Sequence, residues 1–162
     1  MTAVEVDEFE QLHFVSQLML WTMRHQIYAA EMNRPMSRRV EQTYRVAGLP
    51  QGVGVVRDLL AQLSRTASDP IVFNVPAGQR LMPHENHLSQ CMERQIGRSP
   101  RCPREPLQEL VPTTNHASLL RKFALLADIL FSIQTVSFAP RPSDRPLCDG
   151  FGTGSIVEGL PY

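Results

Sequence analysis

Phe9-Glu10-Gln11-Leu12-His13-Phe14-Val15-Ser16-Gln17-Leu18-Met19-Leu20-Trp21-Thr22-Met23-Arg24-His25-Gln26-Ile27-Tyr28-Ala29-Ala30 is the stretch that decides what this chain can build. Phe9, Leu12, Met19, Met23, Ile27 and Ala30 recur at helical spacing. Phe14, Val15, Leu18, Leu20 and Trp21 widen the apolar surface well beyond one stripe. A helix apolar around most of its circumference is central in its domain or shared with a partner. The pattern predicts a helix over Glu8 to Met32, capped by Asp7, with Glu10 completing a capping box and Asn33 and Pro35 ending it.

A second segment of the same kind lies near the other end. Leu119, Leu120, Phe123, Leu126, Ala127, Leu130 and Ile133 surround most of a cylinder running from Asn115 to Ser137, with Thr113 or Thr114 as its cap. Between the two long helices the spacing predicts three shorter ones. Arg38 to Ala47 follows a Ser37 cap, turns Val40, Tyr44 and Ala47 inward and stops at Gly48. Leu49-Pro50 opens the next, with Val53, Val56, Leu60 and Leu63 inward and a first turn weakened by Gly52 and Gly54. Pro83 starts the third, which runs to Ile96 and ends at Gly97. Ile71-Val72-Phe73-Asn74-Val75 reads as a strand without a partner in the chain, hence an extended segment or an edge that pairs across a dimer. The expected fold is therefore all-α: a compact domain of about five helices over residues 1–138, two of them long and central. Irregular Pro/Gly-rich loops join them, and a Pro/Gly-rich extended tail over 139–162 packs on the same domain or on a partner.

Composition narrows the class of function. A chain of 162 residues with 43% hydrophobic content supports one ordinary core. Its longest apolar run, Phe123 to Ile133, is interrupted by Asp128 and falls short of the about 20 residues that span a bilayer, so no membrane partner is expected. The acidic start, Glu5, Asp7 and Glu8, does not resemble a secretory signal, and three cysteines are an odd count, so the expected location is the cytoplasm with free thiols. A net charge of zero argues against strong nucleic-acid binding, although Arg34, Arg38, Arg39 and Arg45 cluster, as do Arg94, Arg98, Arg101 and Arg104.

The best-placed chemical group is Pro83-His84-Glu85-Asn86-His87-Leu88-Ser89-Gln90-Cys91. On a helix, His84, His87 and Cys91 fall within an arc of about 60°. Imidazole and thiolate are preferred zinc ligands, and His13, His116, Cys102 or Cys148 would have to complete the site. Against this stands the simpler reading of Cys91 as a small core residue with histidines hydrogen-bonded at the core's edge. His-Glu-Asn-His is one residue short of the zinc-protease spacing. Glu10-x-x-His13 is a single copy of an element that di-iron bundles need twice. Arg38 to Leu63 has the outline of a helix-turn-helix, but Tyr44 is bulky where the turn needs a small residue, and Gln51 is the one base-reading side chain at the start of its second helix. Asp149 to Ser155 is glycine-rich but lacks the strand, helix and Gly-Lys-Ser/Thr triplet of a phosphate loop.

No catalytic set emerges. The expected function is a non-enzymatic helical interaction or regulatory module that self-associates as a homodimer, with the identity of any other protein partner open and no cofactor. The alternatives are a zinc-type protein using His84, His87 and Cys91, and a weak nucleic-acid binder acting through the arginine clusters.

Overall fold

The computed structural model describes residues 8–97 and 105–137, with side chains as far as Ser132. The chain is all-α, with helices α1 (Phe14–Glu31), α2 (Arg38–Val46), α3 (Gln51–Thr66), α4 (Pro83–Gln95) and α5 (His116–Ser137). Single 3-10 turns at Phe9–Gln11, Pro106–Glu109 and Thr113–Asn115 complete the helical structure of the described residues. Among the described residues no helix is long and apolar enough to cross a membrane.

α3 and α5 form the closest pair and run antiparallel. Gln62 near the end of α3 donates to the Ser118 hydroxyl near the start of α5 at 2.9 Å, while Gly52 at the start of α3 faces Ile129 far along α5. α1 lies across α3 and α4, and α4 closes the other side against α5. Val15, Met19, Met23, Val56, Leu59, Leu63, Leu88, Met92, Leu119, Phe123, Leu126 and Leu130 interdigitate in one core. Of the apolar positions read from periodicity on α2, α3 and α5, all but three are buried: Ala47 and Leu120 are half-buried, and the Ile133 side chain lies outside the described residues.

Two local expectations change. The first helix does not run unbroken from Glu8: Phe9–Gln11 is a 3-10 turn, Leu12 is extended, and α1 begins at Phe14. Glu8 forms an antiparallel bridge with Arg80, and the Phe9 amide donates to the Gln79 carbonyl at 2.7 Å, so tertiary pairing draws these residues out of helical register. His13 caps α1 instead, its Nδ1 accepting from the Val15 amide at 3.2 Å; Asp7 lies outside the described residues. The second concerns residues 71–75, which have no strand partner among the described residues. Their amides are satisfied by side chains of α4: Val72 donates to His84 Nδ1 at 2.9 Å and Asn74 to Glu85 Oε1 at 3.1 Å.

Gly52 also has a reason the sequence did not display. A Cβ there would stand 2.6 Å from Tyr44 Cε1, so the glycine lets α2 close onto α3. Tyr44 is buried in that contact and shares a 2.8 Å hydrogen bond with the Thr22 hydroxyl of α1, tying three helices together. Burial pushes its phenol up to about 12, against the opposing effect of Thr22. Gly48 and Gly97, at φ 74° and 77°, end α2 and α4 in the left-handed conformation that glycine adopts without strain.

Candidate functional site

The position of Arg24 determines the outer surface of α1. A charged residue in the middle of an 18-residue helix ordinarily points to water, yet Arg24 is 1% exposed. Its guanidinium grips Glu85 of α4 in a fork, Nε to Oε1 at 2.6 Å and Nη2 to Oε2 at 2.9 Å. Nη1 donates to the Gly78 carbonyl at 2.6 Å, Nη2 to the Arg80 carbonyl at 3.0 Å, and the Phe9 ring lies 4.7 Å from its central carbon. Glu85, 0% exposed, also accepts the amides of Asn74 at 3.1 Å and Met82 at 2.8 Å. Each charge is met by hydrogen bonds as well as by its partner, the condition under which a buried pair survives desolvation. Sequence reading passed over this pair. The available signals were an arginine inside an apolar helix and a glutamate three residues after Met82, where it can accept that residue's amide at the helix start.

With Arg24 turned inward, the side of α1 opposite the buried Met19 and Met23 carries almost no charge. Phe14, Trp21, His25, Tyr28 and the capping residue Met32 fall within about 60° of one another around the helix, in a strip about 27 Å long at 1.5 Å per residue. Phe14, Tyr28 and Met32 are 45%, 42% and 50% exposed, with Trp21 and His25 half-buried between them. Trp21 and His25 meet edge to face, ring centres 4.7 Å apart. Burial lowers the pKa of His25, and the nearby Arg39 lowers it further, which favours the uncharged imidazole within the strip. Glu8 and Glu10 are exposed at its N-terminal end beside Arg80, and Glu31, Arg34, Arg38 and Arg39 are exposed at or beyond its C-terminal end.

The histidine–cysteine face has a different character. His84 Nδ1 is engaged by the Val72 amide. His87 is half-buried, its Nδ1 without a hydrogen-bond partner among the described residues. Its pKa is lowered by burial and by His84, against a raising effect of Glu109. Cys91 is fully buried, and its thiol is pushed far up by burial and then by Glu105, which disfavours the thiolate a zinc ion requires. Of the proposed fourth ligands, His13 caps α1, and His116 Nε2 lies 2.9 Å from the Val111 carbonyl. Cys102 and Cys148 lie outside the described residues. Among the described residues no three His, Cys, Asp or Glu side chains are gathered closely enough to hold an ion.

The arginine-rich face of α2 borders a shallow cleft against α3, lined by Glu41, Arg45, Pro50, Val53, Gly54 and Arg57, in which an acid stands among the bases. The loop at Asp149 to Ser155 and the segment 139–162 lie outside the described residues. Comparison with protein-family models, with curated proteins and with solved structures finds no match to this chain.

Proposed function

We propose that this protein is a non-enzymatic helical interaction module that works by self-association. The supporting observation is the exposed, uncharged aromatic strip on α1. Interface cores are depleted in charge and enriched in Trp, Tyr, Phe and Met, and Phe14, Trp21, Tyr28 and Met32 have that composition. A helix in this position has no folding reason to leave such side chains in water, because its inner face already fills the core. Neither the His84/His87/Cys91 face nor the arginines of α2 offers a comparable observation for zinc or nucleic acid. Light scattering on a sizing column at tens of micromolar is the test: the mass should exceed the 18.3 kDa of one chain. A strictly monomeric mass at that concentration would sink the reading.

A further inference from the structure

The α1 strip is symmetric about one point along the helix. Phe14 and Met32, and Trp21 and His25, are each equidistant in sequence from Met23. Trp21 and His25, already in edge-to-face contact, straddle that point. A two-fold interface requires a patch complementary to itself when turned end for end. Here such a rotation sets Phe14 against a second copy's Met32 and Trp21 against its His25, so apolar or aromatic groups meet at both ends and at the centre of the strip.

The charges at the two ends distinguish the possible orientations. The N-terminal end is net acidic, with Glu8 and Glu10 exposed against the bridged Arg80, and the Glu10 carbonyl is held by the Gln17 side chain at 3.1 Å. The C-terminal end is net basic, with exposed Arg34, Arg38 and Arg39 outnumbering the exposed Glu31. The side-chain ion pairs Arg24–Glu85 and Arg94–Glu105 among the described residues involve none of these end charges. A parallel copy would stack acid on acid and base on base. An antiparallel copy lays each acidic end over a basic one, and complementary ends of this kind fix register and favour encounter.

We infer that α1 pairs antiparallel with α1 of a second copy of this chain across the Phe14–Trp21–His25–Tyr28–Met32 strip. The inference rests on the self-association proposed above and adds its surface, occupant and orientation. A strip about 27 Å long and one helix wide lies at the small end of specific interfaces, so the expected association is of the weak, micromolar kind.

Sedimentation equilibrium of the full chain and its variants from about 1 to 100 µM tests it, with circular dichroism to confirm that each variant folds. Phe14→Glu and Met32→Lys, both at exposed positions, should each weaken association by about 30-fold, the loss typical of an interface hot spot. The chain carrying both changes should recover to within about 3-fold of wild type, because antiparallel pairing places each new glutamate beside a new lysine. Raising the salt from about 0.05 to 0.5 M should weaken the wild-type dimer severalfold by screening the charged ends. If wild type dimerises but neither single change matters, or the double variant is as weak as the singles, this inference falls while self-association stands. If wild type is monomeric at about 100 µM, both fall. The strip is then left to residues 138–162 of the same chain or to a different protein.

Discussion

Replacing Glu85 with glutamine keeps the shape of the side chain and removes its charge, which makes it the cleanest probe of the node between α1 and α4. In the wild type each carboxylate oxygen accepts two donors: Oε1 takes Arg24 Nε and the Asn74 amide, Oε2 takes Arg24 Nη2 and the Met82 amide. In Glu85→Gln one of those oxygens becomes an NH2 group facing two donors, and the Arg24 guanidinium stays buried without a counter-charge. Removing one member of a buried ion pair costs about 3–5 kcal/mol, and an orphaned buried amide costs about 1–3 kcal/mol. These effects overlap, so the expected loss is about 4 kcal/mol, a large part of the roughly 5–15 kcal/mol that holds a domain folded. For a chain of this length that lowers Tm by about 10–15 °C. Urea unfolding followed by far-UV circular dichroism measures it, provided the slope with denaturant is unchanged. Arg24→Met combined with Glu85→Gln should lose about 2 kcal/mol less than the sum of the single changes, since the two groups are coupled. The double variant should still fall below wild type, because the Gly78 carbonyl loses its Arg24 donor. A loss under about 1 kcal/mol for Glu85→Gln would refute the reasoning, because it would mean that the guanidinium is not held in a dry site.

The glycines of α3 should separate by packing: Gly52→Ala drives a Cβ into Tyr44 and costs about 1–3 kcal/mol. Gly54→Ala meets nothing within 4 Å and should gain up to about 1 kcal/mol from helix propensity; equal effects in thermal melts would contradict the close approach of α2 to α3. Burial depresses the folded-state pKa of His87 and His25 below their ordinary 6.5, outweighing Glu109 at His87. As pH falls below about 6.5 the unfolded chain therefore binds protons first and stability declines. Urea midpoints between pH 7.5 and 5.5 should fall, less steeply in His87→Gln, and a midpoint that rises on acidification would reverse the sign. The buried Cys91 thiol should resist alkylation until the protein unfolds, as read by peptide mapping after a timed maleimide pulse. Elemental analysis should find the native protein free of stoichiometric zinc, and chelation should leave Tm unchanged. One zinc per chain, lost in His87→Ala, would instead establish the His84/His87/Cys91 site.

The helices themselves were legible because their signals are local. The apolar spacing of Val53, Val56, Leu60 and Leu63, the Ser37 cap and the stops at Gly48 and Gly97 each depend on residues within a turn or two, and each is found as read. What the sequence could not show were the choices made between distant segments. Its periodicity made the first helix apolar on most sides, but only packing against α3 and α4 decided which part went inside and which part was left as the Phe14–Met32 strip. The same packing took Phe9–Gln11 out of the helix to pair with the segment around Gln79, and it used His84 and Glu85 to satisfy the amides of Val72 and Asn74. Arg24 and Glu85 lie 61 positions apart, and no short-range pattern links them. Their pairing exists because burying either charge alone is prohibitive, and the fold is the arrangement that lets both be buried together.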